Sequence, residues 1–377
     1  CAHLVGFSVD GSINQQIWYQ LISKMASALL IGNDINNVTN DYSWQKLVNG
    51  LISYAQLSKK PQQSDFKPFP LLYEEIYLNA AKLYGTKELR LKQYIASNTR
   101  ILKPNNIHER LVHLGIQNLM TTNYDLTLEQ CLTDSQRTIT NKGLIKEQVY
   151  NLFRYHKIEN RNIWHIHGSQ LSPKSITLGY EHYSGFLQQM RNYVASGTRG
   201  AYAWYDFQPI GKRIWNNSVE HHSWVDFFFT HDVYIIGLNL DFVEMHLWWL
   251  LTYRARAMVE NRFPINNSIY YYYPKKFEST SQHKLDLFNV NGITTKSILL
   301  RGSNKMSYYQ KVLDDVENLV QSSWRRWALM LFIVYRHFLW LFFVYASFPL
   351  GTKKPFKSAF LGFLEGLVVA GTGLEPV

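Results

Sequence analysis

The sequence predicts an α/β protein in which short buried strands alternate with amphipathic helices. Three observations support this prediction: apolar runs that stop in polar turns, helical spacing of apolar residues between those runs, and polar residues at the C-terminal end of each run. Strands joined in this way form a mostly parallel sheet with a ligand crevice along its carboxyl edge. We therefore expect a Rossmann-like sheet flanked by helices.

The first predicted unit is a strand, a polar loop and a helix. The apolar run ALLIG ends at Gly32, and the turn-forming residues Asn33 and Asp34 follow it. Ser43 offers an N-cap for the helix SWQKLVNGLISYAQ, whose apolar residues recur at helical spacing. After a proline-rich stretch, one long helical region is expected from Leu71 to about Leu102.

Four further strands are predicted from the apolar runs IQNLMTTNYD, RNIWHIHGS, DVYIIGLNL and NSIYYYYP. The run NSIYYYYP is stopped by Pro274 and is predicted as the last strand. Asp241 is expected to cap the helix DFVEMHLWWLLTYRARA. The stretch 183–224 is poorly periodic, which predicts an inserted lid or subdomain of helical or irregular structure.

Composition narrows the class of protein. With 46% hydrophobic, 15% aromatic and 18% charged residues the chain is expected to pack a core. Its two cysteines, Cys1 and Cys131, exclude a disulfide framework and a four-cysteine zinc ribbon, and they suit a reducing compartment such as a bacterial cytoplasm. The net charge of +11 comes without a recognisable basic module, so nucleic acid is not expected to be the direct substrate.

The two chain ends differ from the rest of the chain in sequence pattern. We expect residues 1–13 to be a non-native extension, residues 14–322 to form the domain, and residues 323–377 to be a hydrophobic and basic tail. The apolar stretch 324–350 is long enough to cross a bilayer, but Arg336 and His337 interrupt it. A buried or interfacial helix, a membrane anchor and sequence foreign to the domain remain open as interpretations.

Common fingerprints of nucleotide-binding and hydrolytic sites are missing from the sequence. It contains no GxGxxG, Walker A, GxSxG or HExxH motif and no paired-cysteine metal site. This argues against ordinary dehydrogenases, P-loop NTPases and serine hydrolases, and no metal site is predicted. The polar residues that remain for chemistry lie in four motifs at strand ends: LLIGND, TTNYD, HIHGS and IIGLNLD.

In this order and spacing the four motifs resemble those of the SIR2 or sirtuin superfamily. The nearest resemblance is to SIR2-like proteins of bacterial anti-phage systems, through GNDIN at 32–36, SW at 43–44 and WWLL at 248–251. Abortive-infection proteins of the AbiH type are a near alternative. The sequence departs from sirtuin deacetylases because it lacks their zinc-binding cysteines, which argues against deacetylation. It also has Asp34 where these relatives usually have Gly.

The resemblance implies an NAD glycohydrolase that releases nicotinamide and ADP-ribose and acts as an anti-phage, abortive-infection effector. NAD is then the substrate. A homo-oligomer and a partner ATPase or sensor protein are also implied. A second interpretation remains open, in which the chain is a nucleotide- or ADP-ribose-binding sensor or interaction subunit without turnover.

The implied catalytic residues are His167 and Asn123. Nicotinamide leaves NAD as a neutral molecule through an oxocarbenium-like transition state, so a base suffices, and imidazole titrates near working pH. His165 lies two residues before His167 on the same face of a predicted strand, so spacing alone does not choose between them. The resemblance selects His167, which directly precedes Gly168, as the base. It also implies that Asn123 holds the nicotinamide ribose or the attacking water.

The remaining implied NAD contacts are glycines and small polar residues of the four motifs. They are Gly32, Asn33, Asp34, Thr122, Asp125, Gly168, Gly237 and Asn239. Gly32 and Asn33 are placed at the diphosphate, where the Asp34 carboxylate would repel phosphate unless it points away. Asp125 supports the loop, and capping of the helix LTLEQCL is an equally good account of it. Asn239 is placed at the adenine-side ribose.

Overall fold

The structure is a computed structural model. It describes residues 26–39, 42–57, 67–133, 139–145, 148–202 and 204–322. The chain forms two compact units, one of residues 26–317 and one of the two chain ends, and only residues 318–322 of the second are described. The predictions for residues 1–13, for the first periodic segment up to residue 25 and for the tail 323–377 lie outside the described residues.

The described strands form one eight-stranded sheet in the order β3-β4-β5-β2-β1-β6-β7-β8. The strands are β1 Ser27–Ile31, β2 Asn118–Thr121, β3 Thr140–Lys142, β4 Tyr155–Ile158, β5 Arg161–His165, β6 Asp232–Ile236, β7 Ile269–Pro274 and β8 Ile293–Ile298. All neighbours pair in parallel except β3 with β4 and β4 with β5, which are antiparallel. The predicted α/β class with a mostly parallel, Rossmann-like sheet is confirmed.

Helices connect and flank these strands. They are α1 Trp44–Tyr54, α2 Phe69–Tyr84, α3 Glu88–Thr99, α4 Asn106–His113, α5 Thr127–Gln130, α6 Tyr180–Arg191, α7 Ile210–Trp215, α8 Phe227–Thr230, α9 Met245–Val259, α10 Gln282–Val290 and α11 305–322. Short 3-10 turns cover Asn33–Val38, Pro173–Ser175, Trp224–Asp226 and Lys275–Phe277.

The central strand β1 lies where the direction of chain winding changes. From β1 the chain builds β2 and β5 on one side, and then returns to build β6, β7 and β8 on the other. In sheets of this kind the ligand crevice lies beyond the carboxyl ends of the strands at the point of change. That point is between β1 and β6, where Ile31 pairs with Ile236.

Two helix boundaries show how local sequence sets the structure. The Ser43 hydroxyl accepts a hydrogen bond from the Lys46 N–H at 3.3 Å, so the predicted N-cap of α1 is confirmed. The helical region predicted from Leu71 to about Leu102 is confirmed, and it is divided into two helices, α2 and α3. Gly85 adopts a left-handed conformation with φ of 63° and ends α2, and α3 starts after a short turn.

Three strands and one cap were not foreseen correctly. β8, with sequence ITTKSI, follows β7, so NSIYYYYP is not the last strand. β3 and β4 were not predicted, because β3 is exposed throughout and β4 is a short strand, which leaves little apolar periodicity to recognise. The cap expected at Asp241 is also wrong, because residues 241–244 form a turn and α9 begins only at Met245.

The segment 183–224, predicted as an inserted lid or subdomain, is helical and irregular in its described residues. Its side chains Phe186, Met190, Tyr193 and Trp224 are all buried in the same apolar cluster as strands β1 and β6. Burial of large aromatic side chains of this kind is a major stabilising contribution. This segment therefore forms a covering layer of the sheet.

Within the described part of the chain, none of the helices combines the length and the apolar character needed to cross a membrane. The stretch 324–350 lies outside that part.

Candidate functional site

The turns after β1 and β6 meet at Gly32 and Gly237. The Gly32 N–H donates to the Ile236 carbonyl at 2.9 Å, and the Asp34 N–H donates to the Gly237 carbonyl at 3.0 Å. A Cβ on Gly32 would lie 2.3 Å from the Gly237 oxygen and 2.5 Å from Leu238 Cα. Glycine is therefore required at position 32 by the neighbouring backbone, independently of any contact with a diphosphate.

The Asp34 carboxylate faces helix α11. Its Oδ1 lies 2.5 Å from Lys305 Nζ, and its Oδ2 accepts a hydrogen bond of 2.6 Å from the Tyr309 hydroxyl. Both carboxylate oxygens are thus bound within the protein, and Lys305 balances the charge. This arrangement removes the electrostatic objection to an acidic residue in the first motif.

The loop after β1 is tied to the loop after β2 through Asn36, which is fully buried. Its Nδ2 donates to Asp125 Oδ2 at 2.8 Å and to Asn33 Oδ1 at 2.9 Å, and its Oδ1 lies 3.1 Å from His108 Nε2. Asp125 Oδ1 accepts from both the N–H and the hydroxyl of Thr127, at 3.1 and 2.6 Å. Through these contacts, Asn33 and Asp125 hold the two loops together.

Asn123 follows β2 and has an unpartnered polar atom. Its N–H donates to Thr121 Oγ1 at 3.1 Å, and its Nδ2 lies 3.5 Å from the Gly32 carbonyl. Its Oδ1 is buried and has no hydrogen-bond partner among the described residues. A buried carbonyl oxygen left unpaired costs about 1–3 kcal/mol, so this atom is suited to accept from a ligand hydroxyl.

His165, the last residue of β5, is held on both ring nitrogens. Its Nδ1 lies 2.8 Å from the Asn123 carbonyl, and its Nε2 lies 2.8 Å from Glu129 Oε1. His156 Nδ1 lies 2.6 Å from the same Glu129 oxygen. Burial alone would raise the pKa of Glu129, but the two histidines outweigh it and lower that pKa to about 2. Burial opposes a charged His165, yet Glu129 raises its pKa.

His167 lies in a different environment from His165. β5 ends at His165 and residues 166–167 form a turn, so the expectation that both histidines share one strand face is wrong. His167 Nε2 lies 3.1 Å from His246 Nε2 and 3.3 Å from Glu244 Oε2. Burial, and then His167, lower the pKa of His246 well below its ordinary value, which keeps His246 neutral.

Register places Asn123 and His167 at the same edge of the sheet. Thr121 of β2 pairs with His165 of β5 in a parallel ladder, and Asn123 and His167 each follow a paired residue by two positions. Both side chains are buried at the carboxyl edge of the sheet, 7% and 3% exposed. The strand-end motifs are thus brought together as the sequence predicts, while the catalytic roles themselves stay predictions.

Three other predicted contacts occupy the same edge. Thr122 donates its N–H to the Ile31 carbonyl at 3.2 Å, and Gly168 donates its N–H to the His165 carbonyl at 3.1 Å. Asn239 is exposed, and Lys284 Nζ donates to its Oδ1 at 3.1 Å and to its backbone carbonyl at 3.0 Å. Asn239 is therefore hydrogen-bonded to a residue of α10, although its side chain remains exposed to solvent.

Several polar residues of this edge were missed by sequence reasoning. They are Asn36, Glu129, His156, Glu244 and His246. Asn36 ends the motif GNDIN but was not assigned a role, and the other four are polar residues outside the four strand-end motifs whose partners include residues of distant segments. Glu244 and His246 lie next to the motif GLNLD, and this proximity was the available signal.

Two groups of residues at this edge have donor atoms suited to a metal ion. One is Glu129, His156 and His165, and the other is His167, Glu244 and His246. The sequence predicted no metal site, because the members of each group come from separate segments. For NAD, the fit rests on the unpartnered Asn123 oxygen and on its position at the carboxyl edge of the sheet, where sheets of this kind bind ligands.

Comparison with curated proteins finds no match for this chain. Comparison with protein families finds one described as the SIR2-like domain, and its model matches residues 117–202. The matched stretch contains the motifs TTNYD and HIHGS and ends before GLNLD. SIR2-like domains bind NAD, which supports an NAD-related function in general. Residues 117–202 accordingly match the SIR2-like family that the strand-end motifs predict.

Proposed function

We propose that this protein is an NAD glycohydrolase that cleaves NAD to nicotinamide and ADP-ribose. The observation that carries the proposal is the placement of Asn123 and His167 at equivalent positions beyond β2 and β5, with the Asn123 Oδ1 atom buried and without a hydrogen-bond partner among the described residues. The family match over residues 117–202 supports NAD as the ligand.

Asn123 is suited to hold the substrate. Its Oδ1 accepts a hydrogen bond from a ribose hydroxyl or from the attacking water, and its Nδ2 stays near the Gly32 carbonyl. The oxocarbenium-like transition state then receives its attacking oxygen in a fixed position. Positioning of this kind converts a bimolecular step into an effectively unimolecular one.

His167 is the proposed base. It removes a proton from the ribose hydroxyl or from water as the bond to the neutral nicotinamide breaks. Glu244 Oε2, 3.3 Å from His167 Nε2, stabilises the imidazolium that results. His246, neutral and 3.1 Å away, can share a proton with His167 but carries no opposing charge.

The test is nicotinamide release from NAD by the full chain, its Asn123→Ala and His167→Ala variants, and a His113→Ala control. His113 is an exposed histidine of α4 outside the site. We expect both site variants to lose at least about 100-fold in turnover, and the control to retain it. Circular dichroism of each variant checks folding. Full turnover in a folded Asn123→Ala or His167→Ala variant contradicts the assignment.

A second function is favoured by one observation. His167 Nε2 faces His246 rather than open space, which suits a domain that binds ADP-ribose or a related nucleotide without turnover. Calorimetric binding of ADP-ribose with no nicotinamide release would favour this sensor or interaction role. Nicotinamide release that depends on His167 would exclude it.

The wider biological role is proposed on resemblance. The motifs GNDIN, SW and WWLL resemble those of SIR2-like anti-phage proteins, and we propose an abortive-infection effector in the bacterial cytoplasm that acts as a homo-oligomer or with a partner ATPase or sensor. Expression of the full chain and of His167→Ala in phage-infected cells tests this role. Equal plaque numbers with both, in cells where NAD is not depleted, would contradict it.

A further inference from the structure

The cluster of Glu129, His156 and His165 is built from three elements and is deeply buried. Glu129 lies in α5, His156 in β4 and His165 in β5, and their side chains are between 1% and 8% exposed. Both histidines direct a ring nitrogen at Glu129 Oε1, at 2.6 and 2.8 Å. The second carboxylate oxygen, Oε2, is buried and has no hydrogen-bond partner among the described residues.

The contacts of His165 require a positive charge at its Nε2. Its Nδ1 faces the Asn123 carbonyl, which only accepts, so the neutral ring carries its hydrogen on Nδ1. The Nε2 lone pair then faces the Glu129 carboxylate at 2.8 Å. Two lone pairs repel at that distance, and the repulsion is removed only by a cation between them, either a proton or a metal ion.

The surroundings meet the needs of a metal ion. Metal-bound histidines commonly donate their other ring N–H to a backbone carbonyl, and the contact between His165 and Asn123 has this form. A cavity of about 50 Å³ opens onto His156 and His165, which is room for a water molecule as a further ligand. Arg154 also lines this cavity, and its guanidinium suits a metal-bound hydroxide or small anion.

We propose that Glu129, His156 and His165 bind one divalent transition-metal ion, with Zn²⁺ as the best fit to two imidazoles and one carboxylate. Bonds of about 2.0–2.2 Å to three tetrahedral ligands place the ligand atoms about 3.3 Å apart, so Glu129 retreats by about half an ångström on binding. The unpartnered Oε2 is then available as the metal ligand in place of Oε1.

The second cluster, His167 with Glu244 and His246, has separations of 3.1, 3.3 and 3.9 Å between its donor atoms. We place the metal in the first cluster for two reasons. A single proton shared between His167 and His246 satisfies the facing nitrogens without any cation. His246 Nδ1 also lacks the hydrogen-bond partner that orients a metal-bound histidine.

The consequence of metal binding is structural. The ion would join α5 to β4 and β5, and through His165 it would hold the Asn123 carbonyl at the carboxyl edge of the sheet. This inference stands apart from NAD cleavage, because nicotinamide release plays no part in its test.

The test is the metal content of the purified full chain. The protein is stripped with a chelator, dialysed against micromolar Zn²⁺ and analysed by inductively coupled plasma mass spectrometry. Variants are His156→Ala, Glu129→Gln and His246→Ala, with His231→Ala as a control for loss of a buried histidine outside both clusters. Thermal unfolding with and without Zn²⁺ gives a second readout on the unmutated chain.

We expect one zinc ion per chain in the unmutated protein, in His231→Ala and in His246→Ala, and binding weakened at least about tenfold in His156→Ala and Glu129→Gln. Zn²⁺ should also raise the unfolding temperature of the unmutated chain, and this result needs no variant to fold. Absence of both stoichiometric zinc and a thermal shift would leave a proton as the cation and overturn the proposal. Zinc lost in His246→Ala but kept in His156→Ala would also overturn it.

Discussion

Replacement of Gly32 by Ala should destabilise the protein strongly, because the methyl group meets backbone. The new Cβ would lie 2.3 Å from the Gly237 oxygen and 2.5 Å from Leu238 Cα, whereas carbon and oxygen atoms in contact normally lie about 3.3–3.6 Å apart. The turns after β1 and β6 must therefore separate by about 1 Å, and no side-chain rotation relieves the contact.

The expected loss of stability follows from the hydrogen bonds that this separation breaks. The Gly32 N–H to Ile236 carbonyl bond and the Asp34 N–H to Gly237 carbonyl bond join the two turns at 2.9 and 3.0 Å. Loss of two such bonds at about 1 kcal/mol each, with overpacking of about 1–3 kcal/mol, gives about 3–5 kcal/mol.

The assay is urea unfolding followed by tryptophan fluorescence, with Gly50→Ala as the matched control. A Cβ on Gly50 meets only the Tyr94 hydroxyl at 2.7 Å, which is the movable end of a side chain. Gly50 lies inside α1, where Ala is favoured by about 1 kcal/mol. Gly50→Ala should therefore be neutral or stabilising. A Gly32→Ala protein within about 0.5 kcal/mol of the parent would refute the argument from backbone contact.

Three further predictions concern charge. Burial, and then His221, lower the pKa of His231 to about 3, so the unfolded state binds a proton below pH 6.5 that the folded state refuses. The contribution of His231 to stability should then fall by about 1.7 kcal/mol between pH 6.5 and 5. The urea midpoints at these two pH values should therefore differ less in His231→Asn than in the parent, and an equal difference contradicts this. Glu244→Gln should lower kcat for nicotinamide release about 10–100-fold with little change in KM, because the His167 imidazolium loses its carboxylate partner. An unchanged kcat would exclude a role for Glu244 in stabilising that imidazolium. Asp34→Ala should lower the free energy of unfolding by about 1–2 kcal/mol, measured by thermal unfolding, because it leaves the buried Tyr309 hydroxyl unpaired. Calorimetry should show undiminished NAD affinity. Clearly weaker binding would place the carboxylate at the ligand.

The fold was predictable wherever one segment carried its own signal. The apolar runs of β1, β2, β5, β6 and β7 are bounded by polar turns, so they could be read as strands without knowledge of their neighbours. Ser43 likewise identified the start of α1 by its own chemistry. Parallel order and the location of the site at the carboxyl edge then followed from general rules of such sheets.

What could not be predicted depends on partners far away in sequence. β3 and β4 lack an apolar pattern because one is exposed and the other is short. They are strands only through pairing, β4 with β5 and β3 with β4. Spacing could not separate His165 from His167. The structure separates them because β5 ends at His165, whose nitrogens bind Glu129 and Asn123, while the next turn carries His167 elsewhere.

The candidate site draws its residues from two stretches of the chain. Asn123 and His167 lie inside the stretch 117–202 that the family model matches, whereas Glu244 and His246 lie outside it. A relative could exchange residues 244 and 246 and still carry the same family signature. A match to that signature therefore says nothing about residues 244 and 246, and under the proposed function those two residues are the ones to compare between relatives that cleave NAD and relatives that do not.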